Sequence, residues 1–445
     1  MKKKYVMVGL GGRSVMYSDA ILAKHADCAE LLALCDINNT RMEYYNTSFK
    51  SKYKKGPFPM YHASEFDAMI HTHRPDVVIV TSMDRTHHTY ICRAMELGCD
   101  VISEKPMTTD EEKCRQIFET IERTGKKLIV TFNYRYSPRN TKVKQLIHDG
   151  EIGDVISVHF EWMLSTVHGA DYFRRWHRDK KNSGGLMVHK ATHHFDLVNW
   201  WLDSNPSEVF GMGRLAFYGR ENAELRGMTG FFDREYGSPL AENNPFTINI
   251  KDGGTMEGLY LNAEKDDGYI RDRSVFSQGI SIEDTMSVIV RYENKAVMTY
   301  SLNAFCPWEG YRISFNGTKG RIEMDIVEQS YVSGGKDDQN NPDFNMAETD
   351  KKNDTIRRET VTIQKLWQKA QPVTWAEGKG GHGGGDGILL EDIFVGGRVD
   401  PLKTAAGPLE GAKSILVGIA ANRSFETRQP VRINDLFPLK GWRNI

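Results

Sequence analysis

A lysine at the end of the β-rich run Val101-Ile102-Ser103, flanked as Glu104-Lys105-Pro106, stands at the carboxyl edge of a strand. In open α/β sheets that edge is where ligands bind. Pro106 withholds an amide donor and fixes its own φ, and the bond before it is one of the few that can be cis, so the turn can hold the ammonium in place. A lysine in an ordinary strand-to-helix turn would read the same from the tripeptide alone, and its neighbours must decide. Farther along, His189 and His193 lie four residues apart, which puts both on one face of a helix, aimed at one substrate or one ion. Imidazole titrates near neutrality, so a placed lysine and a histidine pair suit proton transfer at a hydroxyl. His177, His189, His193 and His194 could also ligate a metal, but no Glu lies between them and no Cys or carboxylate set completes a tetrahedron. No metal is expected.

A second set suits a dinucleotide. Val8-Gly9-Leu10-Gly11-Gly12-Arg13-Ser14 follows the first β-rich run and opens a helical segment. Gly9 permits the tight turn, Gly11 lets backbone approach a pyrophosphate, and small Ser14 stands where the third glycine would be. Asp36 follows the run Leu31 to Cys35, where a carboxylate would accept from the adenine-side ribose. It would repel a 2′-phosphate, which favours NAD over NADP; Arg41 nearby could stack on adenine or accept that phosphate.

Two stretches read as substrate walls. Tyr172-Phe173-Arg174-Arg175-Trp176-His177-Arg178 mixes rings and cations suited to sugar faces and hydroxyls; an exposed basic helix with one buried ring would look similar. Gly380-Gly381-His382-Gly383-Gly384-Gly385-Asp386 precedes the amphipathic run Ile388 to Phe394 and lets backbone come close to a ligand, with His382 facing it; a hinge or a tight helix entry fits equally.

The elements that must position these groups follow from periodicity. From Tyr5 to about Phe132, apolar runs (Tyr5 to Val8, Leu31 to Cys35, Val77 to Thr81, Val101 to Ser103, Leu128 to Phe132) alternate with helical patterns, notably Arg85 to Leu97 before Gly98 and Asp110 to Arg123 before Gly125. That alternation predicts a doubly wound parallel sheet. Beyond Tyr134, turn-separated strands at Val155 to Trp162, Thr285 to Tyr292, Ala296 to Leu302 and Arg312 to Phe315 predict antiparallel pairing. Two domains are expected, residues 1–132 and 133–445, the second with insertions near 215–275 and 330–380. The chain has 445 residues and a formal net charge of −1, leaving no electrostatic footprint for nucleic acid or an anionic membrane. No run approaches the ~18 apolar residues of a membrane span and no apolar leader precedes the first strand. A cytoplasmic location, a small-molecule partner and six reduced, scattered cysteines are expected.

With Gly9-Leu10-Gly11, Asp36, Glu104-Lys105-Pro106, Asn133-Tyr134-Arg135 and Gly184-Gly185 before His193-His194-Phe195-Asp196, the chain resembles the Gfo/Idh/MocA family of sugar-handling oxidoreductases. The resemblance implies an N-terminal Rossmann doubly wound parallel sheet, plus a C-terminal α/β domain with a large, predominantly antiparallel open sheet that carries substrate, and NAD(P) between them. It implies that Lys105 meets both the nicotinamide ribose and the substrate hydroxyl, and that His87 and Asn133 lie beside the coenzyme; Ser82 and Glu104 are expected there too, and Tyr134, Arg175, Trp176, His177, His194 and His382 are expected to face a carbohydrate. It further implies a homo-oligomer formed through the open sheet. The family's Asp-x-x-x-His-x-x-Asp reads here as His189-x-x-x-His193-x-x-Asp196, so His193 takes the catalytic histidine's place and His189 replaces an aspartate. Two reactions are compatible: NAD-dependent oxidation of a secondary hydroxyl of a sugar, glycoside or cyclitol, or a redox-neutral cleavage through a transient keto-glycoside with NAD retained. A non-catalytic NAD sensor is the reading from outside enzymology.

Overall fold

In the computed structural model, residues 2–332, 334, 358–378 and 381–442 are described. Residues 3–130 build a six-stranded parallel sheet from β1 (Lys3–Val8), β2 (Ala29–Asp36), β3 (Met60–His62), β4 (Val77–Val80), β5 (Asp100–Ser103) and β6 (Leu128–Val130), ordered β3-β2-β1-β4-β5-β6. β4 is Val-Val-Ile-Val and buried throughout, as a strand covered on both faces must be. The helix Glu111–Thr124 shows why its sequence folds as it does. The Asp110 carboxylate accepts from the Lys113 amide at its start, Gly125 closes it in the left-handed conformation, and Cys114, Ile117, Phe118 and Ile121 form its buried stripe. β3, a three-residue strand with no buried position, carries no periodic signal in the sequence.

The second sheet has nine strands: β7 (Val155–Ser165), β8 (Pro206–Arg214), β9 (Thr285–Tyr292), β10 (Val297–Cys306), β11 (Glu309–Gly317), β12 (Gly320–Gln329), β13 (Arg358–Lys365), β14 (Gln371–Pro372) and β15 (Val431–Arg432), ordered β14-β13-β12-β11-β7-β10-β9-β8-β15. All its pairings are antiparallel except β7 with β10. Strict alternation of burial along β9 gives the sheet one core face. Helices Thr192–Leu202 and Pro408–Thr427 pack together on the side of that core. Ile156, Met212 and Ile289 stand exposed on strands of the same sheet. β13 and β14 fall within the stretch expected to be an insertion and instead extend the sheet; residues 335–357 of that stretch lie outside the described residues.

Two segments of the second half return to the first. Ile248, Ile250, Met256, Leu259 and Tyr260, from the 215–275 insertion, share a core with Tyr5, Met7, Leu10, Tyr17, Met42 and Tyr45. Near the C-terminus the Ala406 carbonyl accepts from the Val130 amide at 3.1 Å, and Phe437 and Trp442 pack on Phe118 with ring centroids 5.1 and 5.4 Å away. Among the described residues no helix is long and apolar enough to cross a membrane, and the six cysteines are free thiols, Cys35, Cys99 and Cys114 fully buried.

Candidate active site

The Lys105 turn is built from below. The Glu104 amide donates to the Val80 carbonyl, continuing the β4–β5 pairing, and the Lys105–Pro106 bond is cis. His87, 1 % exposed, bridges the Pro106 and Ser82 carbonyls at 2.8 and 3.0 Å and so braces the turn. Glu104 accepts from Arg13 Nε and the Tyr17 hydroxyl, each at 2.7 Å. Burial pushes its carboxyl upward, but Arg13, Lys105 and Tyr17 more than offset this and hold it below the usual glutamate value. The Lys105 ammonium approaches the His189 carbonyl at 3.5 Å. Burial brings its pKa down to about 8 against the opposing pull of Glu104 and Asp84. A lysine in that range exchanges a proton near neutral pH, as an ordinary lysine does not.

Facing it is a wall of imidazoles from the second domain. His193, 2 % exposed, lies edge to face with Tyr134 at 5.1 Å and is 5.7 Å from the His382 ring, and its Nδ1 has no hydrogen-bond partner among the described residues. Burial, with Lys105 next in weight, pushes it well below an ordinary histidine, so it stands neutral, a hydrogen-bond acceptor more than a base. His189 Nδ1 is hydrogen-bonded to Asp84 Oδ2 at 2.5 Å; with Asp84 ionised, the ring carries its proton on Nδ1 and leaves Nε2 as the acceptor. His177 packs edge to face against His189 at 4.2 Å and stacks on Trp176 at 3.5 Å. Arg175 pairs with Asp171 at 3.2 Å. Asp84, His177 and His189 bring ligand-type atoms within 4.8 Å of one another. Burial pushes the Asp84 carboxyl well above the usual aspartate value against the opposing pull of Lys105 and Arg175, and a divalent ion there would meet those two neighbouring cations. The cluster reads as a hydrogen-bonded carboxylate–imidazole pair.

The glycine turn fits a dinucleotide. Gly9 has φ +85°, and a Cβ there would strike the Ser82 backbone, whereas nothing lies within 4 Å of the Cβ position of Gly11, so space for a ligand stands beside it. Ser14 Oγ donates to the Gly11 carbonyl at 2.7 Å, closing the turn where the third glycine is missing. Asp36 accepts from the Leu10 and Asn38 amides at 2.5 and 2.9 Å and has Arg41 Nη1 at 3.8 Å. Among the described residues, Arg41 Nη2, Asn133 Oδ1 and His193 Nδ1 are buried without hydrogen-bond partners, polar atoms of the kind that a bound nucleotide and substrate satisfy. The glycine loop behaves partly as expected: His382, Gly383 and Gly384 take positive φ, and Ser137 Oγ donates to the Gly383 carbonyl at 3.0 Å. Asp386 then accepts from Asn133 Nδ2 at 2.6 Å and His382 Nδ1 at 3.1 Å. Gly380 lies outside the described residues.

Residues 3–132 match the profile described as "Oxidoreductase family, NAD-binding Rossmann fold", and residues 144–433 match "Oxidoreductase family, C-terminal alpha/beta domain". The chain belongs to the Gfo/Idh/MocA oxidoreductase family. It is 35 % identical, over 98 % of its length and 99 % of the relative's, to YteT of Bacillus subtilis strain 168, whose name calls it an oxidoreductase. Inositol 2-dehydrogenase of Rhizobium meliloti is 31 % identical over 30 % of this chain and 38 % of that one. Two solved structures share the fold: aldose-aldose oxidoreductase of Caulobacter crescentus (TM-score 0.61, 16 % identity, 97 % of this chain and 100 % of that one) and the WlbA dehydrogenase of Bordetella pertussis, complexed with NADH and UDP-GlcNAcA (TM-score 0.60, 17 % identity, 97 % and 99 %).

As a Gfo/Idh/MocA oxidoreductase the chain carries an NAD-binding Rossmann domain, and two of its residues depart from the expected pattern. His194 is fully buried. Its ring stacks on Trp162 at 4.0 Å and its Nδ1 meets the Tyr300 hydroxyl at 2.6 Å, inside the sheet core; neighbours on a helix differ by ~100° in direction, so His193 and His194 cannot share a face. His189, in the aspartate's place, regains a carboxylate through Asp84, which was visible in the sequence only as an acidic residue just past β4. Asp386, Lys190 (5 % exposed, its ammonium 4.9 Å from the Trp162 ring) and the chain Glu309–His168–Tyr172, with contacts of 2.6 and 3.0 Å, were also missed. Asp84→Asn is expected to lower kcat/KM by about 10²-fold, because an amide no longer enforces the His189 tautomer, with NAD affinity unchanged. Steady-state kinetics with titration of bound coenzyme check this; equal kcat/KM would make the pair structural.

Proposed function

We propose that the chain oxidises, or in reverse reduces, a secondary hydroxyl or keto group of a sugar, glycoside or cyclitol, with NAD as coenzyme and Lys105 and His193 handling the proton. The observation that carries this is a buried lysine, its pKa brought down to about 8 by burial, at the carboxyl edge of a Rossmann sheet, with a buried, neutral imidazole beside it whose Nδ1 has no partner among the described residues. Gly9, Gly11, Gly12, Arg13, Ser14, Asp36, Arg41, Ser82 and Asn133 would hold the coenzyme. When bound, NAD supplies the hydride acceptor for carbinol oxidation. Lys105, as the uncharged amine, takes the hydroxyl proton, and neutral His193 Nδ1 accepts a hydrogen bond from the ammonium so formed. As an ammonium, Lys105 then stabilises the carbonyl oxygen being formed. Trp176, Arg175 and His177 supply the stacking and cationic face that a polyol needs. The names of relatives, inositol 2-dehydrogenase and aldose-aldose oxidoreductase, support this substrate class.

A second reading is favoured by the two further histidine–carboxylate sets. A redox-neutral glycoside cleavage through a keto intermediate needs a base for the C–H beside the carbonyl and an acid for the leaving oxygen, in addition to the groups serving the hydroxyl. Asp84–His189 and Glu309–His168–Tyr172 could serve. In the latter, Glu309, held ionised, accepts a hydrogen bond from His168 Nδ1–H, so Nε2 accepts from the Tyr172 hydroxyl. The test incubates purified protein with a panel of polyols and glycosides and follows NADH absorbance, keto products by mass, and released aglycone. NADH in step with a keto product of intact skeleton is expected. Aglycone release without NADH accumulation would install the second reading, and no reaction on any member, with NAD bound, would sink both. The exposed Ile156, Met212 and Ile289 support a homo-oligomer built through the nine-stranded sheet.

A further inference from the structure

The family profile assigns coenzyme binding to residues 3–132, yet the adenosine corner of that domain is walled by residues from the other one. The 215–275 insertion buries five apolar side chains in the Rossmann core and then lays its backbone along the loop after β2. The Ala263 carbonyl accepts from Asn38 Nδ2 at 2.8 Å, the Leu259 carbonyl from Arg41 Nε at 3.3 Å, and the Asp266 carboxylate from the Thr40 amide at 2.7 Å. Gly258 sits so close to the Tyr44 ring that any Cβ would collide with it. This is a packed contact, with the side chains of Asp267 and Arg41 only 9 % and 10 % exposed.

We propose that this insertion completes the coenzyme site, Asp267 setting the preference for NAD over NADP and Tyr260 closing over the glycine turn. The proposal rests on the NAD-binding fold. Its first support is charge. Arg41 is the cation beside Asp36, and its Nη1 is taken by Asp267 at 2.7 Å, while Asp36 lies 3.8 Å away. One guanidinium between two carboxylates leaves a corner with net negative charge. A ribose hydroxyl can donate to Asp36 and accept from Arg41 Nη2, buried and without a partner among the described residues. A dianionic 2′-phosphate in the same place would face two carboxylates and a guanidinium already spoken for. The second support is the turn itself. The Tyr260 hydroxyl accepts from the Gly12 amide at 3.2 Å, so its own O–H remains to donate to an anion beside the helix N-terminus, where a pyrophosphate binds in this fold.

Asp267→Asn is the discriminating change, because the amide oxygen can still accept from the Tyr269 amide, as Asp267 Oδ1 does at 3.0 Å, while the charge is lost. NAD and NADP dissociation constants are measured on full-length, coenzyme-stripped protein by calorimetry, with Asp36→Asn as comparator. Asp267→Asn is expected to move the NAD/NADP ratio at least about tenfold toward NADP. Tyr260→Phe is expected to speed NAD release about tenfold without altering the ratio. If Asp267→Asn fails to fold, Asp267→Ser removes the same charge and is read the same way. An unaltered ratio at position 267 with a shifted one in Asp36→Asn overturns the role of Asp267 and leaves the coenzyme site standing. Unchanged release from Tyr260→Phe overturns the role of Tyr260. Failure of the wild-type protein to bind either nucleotide overturns the coenzyme assignment beneath both.

Discussion

Lys105→Ala is expected to lower the rate of hydride transfer by about 10³-fold or more, with NAD affinity within a few-fold of wild type. The side chain is asked for two things that only the reacting state needs: a proton partner near working pH and a positive charge at the oxygen. An alanine supplies neither, while the glycine turn and Asp36, which would hold the nucleotide, are untouched. Lys105→Arg should recover little, since a guanidinium does not deprotonate. The sign of the pH dependence follows from burial lowering the lysine to about 8. In the oxidative direction the uncharged amine is the proton acceptor, so kcat/KM should rise with pH and level off above about 8. In the reductive direction the ammonium is the donor, and the rate should fall through the same range. Single-turnover NADH formation across pH, in wild type and both variants, checks all three; unchanged turnover in Lys105→Ala would remove the lysine from the chemistry.

Asp196→Ala should be the most damaging single change to stability, about 3 to 5 kcal/mol. Asp196 receives both arms of Arg135, at 2.7 and 2.6 Å, with side chains 1 % and 3 % exposed. The guanidinium also lies 5.9 Å from the Phe132 ring centroid and 5.7 Å from that of Trp200, and donates to the Lys403 carbonyl at 3.3 Å. Removing the carboxylate strands a charge in that packing, whereas replacing both partners with apolar residues of similar volume should recover most of the loss. Denaturant unfolding of the two single variants and an Arg135→Met, Asp196→Leu pair tests this. A loss below about 1 kcal/mol for Asp196→Ala would show that water reaches the guanidinium.

Much of this architecture was legible in the sequence for a simple reason. A parallel strand buried on both faces is a solid apolar run, and its carboxyl end is a fixed address for ligands, so β4, β5, Asp36 and Lys105 announced themselves. The same rule pointed at Asp84, but a lone acid past a strand says nothing until His189 is seen to meet it from 105 residues away. β12 alternates buried with half-exposed positions over most of its length, and β13 buries only Val361 among charged and polar residues, a pattern that a polar loop imitates. The insertion was the least readable part, since its burial depends on Tyr44, Asn38 and Arg41 lying opposite, which no local window contains. His193 and His194 mark the limit in the other direction: residue type placed both at the substrate, and helical geometry allows one.

The return of the C-terminal region to the first sheet bears on how the protein is made. β6 is an edge strand whose Val130 amide is satisfied by Ala406, and Phe118 is covered by Phe437 and Trp442. The half that leaves the ribosome first therefore waits with an open edge and an uncovered aromatic until the whole nine-stranded sheet has been translated. The two halves are distinct in architecture but not in biogenesis: the first is closed only by residues made near the end of the second.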